Sequence, residues 1–259
     1  MGEVPERRAH PMTTAPTMPA FTQDSNAVVI AGAAICSAHA PRALDLYCCS
    51  GGAGMGISRA GFDVTGVDIE AQPEYPHRFV QGNALDADLS GYDFVWASPP
   101  CQCFTKYKNC RPKLAEKYKD LIVATREKLT AWGGYWIMEN VVGAPLVNPV
   151  TLCGSMFGLD IRRHRLFESN VALMQPECNH GIWTPNRFPG GRSRERGHAR
   201  IPCRGTIEIG RWNIPLETQK AAMGMPWVTD LRKLSEAIPP VYAEYLARQI
   251  MRVIAGQNE

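Results

Sequence analysis

Three kinds of side chain that can take part in covalent chemistry follow one another along the sequence. They are a thiol, a carboxyl group and a pair of guanidinium groups, at Cys101, Glu139, Arg163 and Arg165. An ionised thiol is a strong nucleophile, a carboxyl group can donate or accept a proton, and guanidinium groups bind anions. Together, in this order, they suit covalent chemistry on a nucleic-acid base.

Apolar runs that are typical of buried parallel strands precede the thiol and the carboxyl group. Residues 94–97 lead into the segment Pro99-Pro100-Cys101-Gln102, and residues 135–138 lead into Glu139. Because the carboxyl ends of parallel strands meet at one edge of a sheet, we expect both groups at that edge. Each residue alone also fits an ordinary role, since a lone Cys is usually a small buried hydrophobe. Their joint order is what favours a site.

A glycine-rich turn between a strand and a helix indicates a ligand site at the same edge. The strand 42–47 runs into the turn 48–54, and the next strand, 64–67, ends in Asp68. Glycines let a ligand approach the backbone, and the amides of such a turn can bind an anion. An acidic residue in the place of Asp68 can accept hydrogen bonds from ribose hydroxyls. From the residues alone, a generic dinucleotide site and a turn without a ligand both stay open.

Length and composition favour one α/β domain with a small appendage. The 259 residues are 45% hydrophobic, and no run of 18 apolar residues occurs, so we expect no membrane span. The nine cysteines form no paired framework. An odd count of cysteines and a candidate thiolate nucleophile favour the reducing cytoplasm.

Two stretches of the chain depart from this average composition. Residues 1–26 are rich in Pro, Thr, Ala and Met, a composition that predicts disorder. The apolar run 27–36 that follows resembles a signal-peptide core but lacks nearby basic residues. A second stretch is rich in arginine, with Arg187, Arg192, Arg194, Arg196 and Arg200. It predicts a surface that contacts DNA phosphates, and a solvated loop is the alternative.

The order of these motifs resembles that of the DNA cytosine-5 methyltransferases, from about Leu44 to about Met251. The matching motifs are Pro-Cys at 100–101, Glu-Asn-Val at 139–141 and Arg-x-Arg at 163–165, followed by 216–227 and 235–240. The resemblance implies a doubly wound, mostly parallel α/β sheet of the Rossmann-like S-adenosylmethionine-dependent type, with a very short target-recognition insertion. It also implies that the thiol is the nucleophile, that the carboxyl group holds the target base, and that the Arg-x-Arg element helps to bind base and DNA.

The family's cofactor, S-adenosylmethionine, is implied with them. The positions that would hold it are Tyr47, Cys49, Ser50, Gly51, Gly52, Asp68, Ile69, Asn83, Ala84, Pro100, Leu121, Glu236 and Ala237. Three of these depart from the family pattern. Cys49 stands where Gly is usual, Asn83 where Asp is usual, and Glu236 where Asn is usual. These departures bear on cofactor affinity and preference.

The implied reaction is methyl transfer to C5 of a flipped-out cytosine. Attack by the Cys101 thiolate at C6 makes C5 nucleophilic, and Glu139 would hydrogen-bond or protonate the ring at N3. A guanidinium group, from Arg163 or Arg165, would favour the thiolate by lowering its pKa. The base must leave the stack because neither carbon can be reached inside a duplex. Gln102 and the polar stretch 105–109 are expected to close over the DNA.

The resemblance divides the chain into four parts. Residues 1–40 are a disordered or non-conforming extension, 41–168 the catalytic and cofactor-binding part, 169–210 a short basic recognition segment, and 211–259 a return to the catalytic domain with a C-terminal helix. The expected partner is double-stranded DNA, with no membrane, and the chain is expected to be a monomer. The compact size suits a bacterial or phage modification enzyme in the cytoplasm. A cognate restriction enzyme is compatible with this architecture.

Three alternatives stay open. A tRNA cytosine-5 methyltransferase shares the catalytic motifs, and a catalytically weak DNA-binding relative would account for the departures from the family pattern. Residues that could offer a zinc site in the recognition segment are Cys178, His180, His198 and Cys203. Their spacing is tighter than usual at the first pair, so ordinary loop residues are the preferred interpretation and no metal is assigned. A segment this short predicts a recognition sequence of about two to four base pairs.

Overall fold

The structure is a computed structural model that describes residues 40–104, 119–178, 183–185 and 204–256. A seven-stranded sheet has the order β3-β2-β1-β4-β5-β7-β6. Its strands are β1 (Arg42–Leu46), β2 (Asp63–Asp68), β3 (Arg78–Gln81), β4 (Phe94–Ala97), β5 (Tyr135–Val141), β6 (Val150–Leu152) and β7 (Arg165–Ser169). Neighbouring strands from β3 to β5 are parallel, whereas β7 is antiparallel to both β5 and β6. This arrangement confirms the predicted mostly parallel α/β sheet.

The central strands form because their residues can be buried on both faces. All four residues of β4 are buried, as are residues 136–140 of β5. Continuous apolar runs of this kind suit parallel strands that carry helices on both sides. The register pairs Ala97 with both Leu46 and Met138, so β1, β4 and β5 end at one edge.

Helices cover both faces of the sheet. They are α1 (Gly52–Arg59), α2 (Ile122–Trp132), α3 (Leu216–Met223), α4 (Leu231–Glu236) and α5 (Pro240–Ile254). On one face, α1 packs closely on α5, and a Cβ at Gly56 would lie only 2.1 Å from the carbonyl oxygen of Pro240. On the other face, Ile122 and Leu129 of α2 pack against apolar side chains of the central strands.

The antiparallel strand β7 brings a basic element to the same edge. Its first residue, Arg165, is paired with Val141, and Phe167 is paired with Glu139. A 3-10 helix, Gly154–Phe157, connects β6 to the segment that leads into β7. A smaller parallel pair joins β8 (Trp183–Pro185) to β9 (Arg204–Thr206). In the part of the chain described here, no helix has the length and apolar character needed to cross a membrane.

Several predictions from the sequence fall outside the described residues. These include the extension 1–39, the stretch 105–109 and the zinc alternative at His180, His198 and Cys203. The arginines predicted to contact DNA also lie outside, at Arg187, Arg192, Arg194, Arg196 and Arg200. All of these stay predictions.

Candidate active site

One cavity of about 450 Å³ opens at the edge where the parallel strands end. Cys101, which follows β4, and Glu139, within β5, both line it, and Arg165 at the start of β7 lines it too. The parallel pairing of β4 with β5 and the antiparallel pairing of β5 with β7 bring these side chains together. The thiol, the carboxyl group and one predicted guanidinium group therefore share one site.

The Glu139 carboxyl group is paired with Arg165 in a nearly dry environment. The Nε of Arg165 lies 3.2 Å from Oε1 of Glu139, and the two side chains are only 15% and 10% exposed. Burial raises the pKa of Glu139, although Arg165, Arg163 and a hydrogen bond with Ser98 lower it. Since burial prevails, the carboxyl group takes up a proton more readily than an exposed glutamate does.

The same charged side chains act on the Cys101 thiol. Burial raises its pKa, the Glu139 carboxylate raises it further, and Arg165 lowers it. The Glu236 carboxylate also raises the pKa of Cys101. The predicted effect of a neighbouring guanidinium group is thus present, but burial and the nearby carboxylates outweigh it. A proton on Glu139 would remove one of these three effects that disfavour the thiolate, so the protonation of Glu139 and that of Cys101 depend on each other.

Arg163 has a different environment from Arg165. Its Nε donates to the carbonyl oxygen of Ala237 at 3.0 Å, and its Nη2 donates to the same oxygen at 2.7 Å and to that of Ser235. Burial lowers the pKa of Arg163 to about 9. Among the described residues that line the cavity, Arg165 is present and Arg163 is not. The Arg163 guanidinium group therefore binds carbonyl oxygens at the C-terminal end of α4, and its contact with a substrate stays a prediction.

The turn after β1 forms the other end of the cavity. The Asp68 carboxylate accepts hydrogen bonds from the backbone N–H groups of Cys49 and Glu70, each at 2.9 Å. Cys49 has a φ of 44° and Tyr47 a φ of 59°, so both side chains stand on left-handed backbone. Glycine is favoured there, which gives the departure at Cys49 a conformational cost. The Trp227 indole donates to the carbonyl oxygen of Ser50 at 2.8 Å and supports the turn.

Most of the predicted cofactor residues line this cavity. They are Tyr47, Cys49, Gly52, Asp68, Ile69, Pro100, Glu236 and Ala237, and Gln102 lines it too. Ser50 is buried within the same turn, next to Gly51, which has a φ of 80°.

Three predicted cofactor residues lie elsewhere. Asn83 donates to Asp86 at 2.8 Å and lines a separate hollow of about 330 Å³. Ala84 beside it is buried, and Leu121 precedes α2. Their part in cofactor binding stays a prediction.

Sequence reasoning missed one buried acid in the cavity wall. Asp45, within β1, accepts a hydrogen bond from the Tyr75 hydroxyl at 3.0 Å through Oδ2, and its Oδ1 has no hydrogen-bond partner among the described residues. Burial raises the pKa of Asp45 to about 7, although the Tyr75 hydroxyl lowers it. The available signal was an acidic residue between two leucines of a predicted strand, where charge is costly unless it serves a site.

Other lining residues also carried no motif that marked them. These are Gln72, Ser98, Asp230, Arg232 and Lys233. They come from loops and from α4, so only the folded chain places them at this edge. Arg232 also pairs with Glu236 at 3.2 Å and offsets part of its charge.

Solved structures of methyltransferases share this fold. A protein assigned as a DNA modification methyltransferase, encoded within an E. coli prophage, is 14% identical, with 83% of this chain and 100% of that chain covered and a TM-score of 0.54. The Dnmt2 methyltransferase of S. pombe is 13% identical, with 83% and 99% covered and a TM-score of 0.50. The Entamoeba histolytica methyltransferase EhMeth is 10% identical, with 85% and 99% covered and a TM-score of 0.50.

No protein-family profile and no curated protein sequence matches the chain. The similarity to solved structures therefore concerns the fold, and it spans nearly the whole length of each of the three methyltransferases. It confirms the Rossmann-like methyltransferase fold that the resemblance in motifs implied.

Proposed function

We propose that this chain is an S-adenosylmethionine-dependent DNA cytosine-5 methyltransferase. The observation that carries the proposal is the meeting of Cys101, Glu139 and Arg165 around a single cavity that extends to the Asp68 turn. A nucleophile, a proton donor and a cofactor-sized space are what this reaction needs at one place. The strand order explains why they meet, and the shared fold with methyltransferases agrees with it.

The cavity suits a ligand that carries positive charge. Asp45 and Glu236 offer carboxyl groups, one of them with an oxygen that lacks a hydrogen-bond partner in the described part of the chain. The sulfonium and ammonium groups of S-adenosylmethionine would be favoured there, whereas the pyrophosphate of a dinucleotide would be repelled. Only glycine fits at Gly52, because a Cβ would lie 2.2 Å from the carbonyl oxygen of Ile238.

Residues of the cavity would hold this cofactor along its length. Asp68 would accept from the ribose hydroxyls, and Ile69, which is 70% exposed at the rim, would lie against the adenine. When bound, S-adenosylmethionine supplies an electrophilic methyl group.

In the proposed reaction the Cys101 sulfur bonds to C6 of the cytosine. Glu139, held by Arg165, donates its proton to N3 of the ring, which takes up the charge that develops during attack. The raised pKa of Glu139 suits this role, since the acid must be protonated when the base arrives. After methyl transfer to C5, a water takes the C5 proton, the thiolate departs from C6, and the N3 proton returns to Glu139, which restores the ring.

The target base would reach the cavity by leaving the duplex, at a cost of about a few kcal/mol. Arg165 lines the cavity, and its side chain is mostly buried and paired with Glu139. It would therefore hold the Glu139 carboxyl group in position rather than contact phosphates. Phosphate contacts are proposed for the arginine-rich segment 187–200.

A direct assay of the product tests the proposed function. The purified chain is incubated with methyl-labelled S-adenosylmethionine and either unmethylated DNA or unmodified tRNA, and the nucleosides are separated by mass spectrometry. We expect 5-methylcytosine in DNA with the parent and with Cys103→Ser, a matched thiol two positions away, and none with Cys101→Ser. Product in tRNA alone would move the proposal to an RNA substrate, and product formed by Cys101→Ser would refute the assigned nucleophile.

A further inference from the structure

A cluster of soft ligand atoms lies beside the catalytic edge, outside the cavity. The Sγ atoms of Cys153 and Cys178 and a ring nitrogen of His164 all lie within 4.8 Å of one another. Cys153 is buried, His164 is half-buried and Cys178 is exposed. One ligand of the cluster therefore belongs to the protein interior, and another is accessible to solvent.

The antiparallel pairing of β6 with β7 explains how two of these residues meet. Leu152, the last residue of β6, is paired with Arg165, the first residue of β7. Cys153 follows Leu152 and His164 precedes Arg165, so Cys153 and His164 lie next to each other where the two paired strands end. Cys178 returns to this point after the chain has left β7.

The distances fit a tetrahedral metal site. Zinc binds sulfur at about 2.3 Å and nitrogen at about 2.0–2.1 Å, so tetrahedral angles place neighbouring sulfur and nitrogen ligands about 3.6 Å apart. The Sγ of Cys178 lies 3.6 Å from Nε2 of His164. The same geometry puts two sulfur ligands about 3.8 Å apart, which lies within the 4.8 Å span of the cluster.

The chemistry of these ligands selects a metal of the zinc type. Two thiolates and one imidazole are soft and borderline ligands, which magnesium and calcium disfavour. The Ser155 hydroxyl contacts both sulfurs, donating to Cys153 Sγ at 3.4 Å and lying 3.7 Å from Cys178 Sγ. Hydrogen bonds of this kind orient ligands around a metal.

We propose that Cys153, His164 and Cys178 bind one zinc ion. Water fills the fourth position. The set differs from the zinc alternative drawn from the sequence, with which it shares only Cys178. It also departs from the interpretation drawn from the sequence, which assigned no metal.

The zinc ion would fix the start of the recognition segment to the catalytic sheet. His164 stands between Arg163 and Arg165, and Arg165 Nη1 donates to the carbonyl oxygen of His164 at 2.9 Å. A metal on His164 would thus hold the backbone that carries the partner of Glu139. Metal binding does not depend on the proposed methyl transfer, so a failure of one leaves the other standing.

The test measures metal on the full-length, untagged chain, which is kept reduced and supplied with zinc. After removal of loosely bound metal with a weak chelator, mass spectrometry of the metals gives zinc per chain. We expect one zinc for the parent and for the control Cys103→Ser, which removes a thiol outside the cluster. Cys178→Ser should lose its zinc in the same challenge, and its exposed position lets the variant fold, as circular dichroism would show.

Cobalt gives a second measurement that reports on the ligands themselves. Cobalt in the parent should show a thiolate-to-metal charge-transfer band and the strong visible bands of a tetrahedral site, and both should be lost in Cys178→Ser. Zinc retained by Cys178→Ser, no zinc on the reduced parent, or a Cys153–Cys178 disulfide in place of metal would each overturn the proposal.

Discussion

Replacement of Asp45 by Asn should remove a large part of the pH dependence of stability in the ligand-free protein. Asp45 is fully buried, and burial raises its pKa from the ordinary 3.8 to about 7. Between about pH 4 and pH 7 the native chain therefore holds a proton at this group that the unfolded chain has released. The free energy of unfolding of the parent should fall as the pH rises through that window, and the Asp45 contribution should level off above about pH 7.

The size of the effect follows from the two pKa values. The interval between 3.8 and about 7 corresponds to roughly 4 kcal/mol, at about 1.4 kcal/mol for each pH unit. The Asn side chain matches the protonated acid in size and cannot ionise. Relative to the parent, Asp45→Asn should therefore gain roughly 4 kcal/mol between about pH 4 and pH 8.

Urea denaturation of the ligand-free protein at a series of pH values measures this difference. Asp63→Asn provides a matched control, since the Asp63 side chain is 47% exposed and surface substitutions usually change stability by less than about 0.5 kcal/mol. Tyr75→Phe removes the hydroxyl that lowers the pKa of Asp45, so it should move the transition to higher pH. A difference between Asp45→Asn and the parent that stays constant with pH would refute the reasoning.

Three further predictions concern catalysis, a buried ion pair and DNA binding. Glu139→Gln keeps the shape of the side chain but removes its proton, so labelled-methyl transfer should fall by about 10²-fold or more, and a near-normal rate between about pH 6 and 8 would contradict the assigned acid. Arg126→Met should lower the free energy of unfolding by about 3–5 kcal/mol in urea titrations, because Glu168, which is 5% exposed, loses the guanidinium group that it meets at 2.6 and 2.7 Å. A change below about 1 kcal/mol would show that water replaces this pair. Replacing the three arginines in 192–196 with Ala should weaken binding to all DNA sequences alike and reduce the slope of log K against log salt by up to about 3, and an unchanged slope would favour the solvated loop.

The positions of Cys101 and Glu139, the proposed nucleophile and acid, at one edge of the sheet could be predicted because they depend on local patterns. The apolar runs before Cys101 and Glu139 have the length and composition of buried parallel strands, and parallel strands end at one edge. The glycine-rich turn and Asp68 follow from the same rule. These residues needed no knowledge of how distant parts of the chain pack.

The remaining features depend on contacts that leave no local pattern. The Arg-x-Arg element could be identified from the sequence, but the different partners of its two arginines could not. Arg165 pairs with Glu139, whereas Arg163 donates to the carbonyl oxygen of Ala237, and this difference follows from the packing of β7 and the segment before it. Likewise, the meeting of Cys153 with His164 depends on the register of β6, a strand of three residues. Strands this short have too few residues to show a period.

The most direct test of the central claim is trapping of the bond between Cys101 and the base. DNA that contains 5-fluorocytosine is incubated with the protein and S-adenosylmethionine, since fluorine at C5 blocks the last proton loss and leaves the sulfur attached to C6. Denaturing gels and peptide mass spectrometry then locate the adduct. We expect a covalent complex at Cys101 with the parent and with Cys103→Ser, and none with Cys101→Ser. An adduct that persists in Cys101→Ser, or one that maps to another residue, would contradict the account.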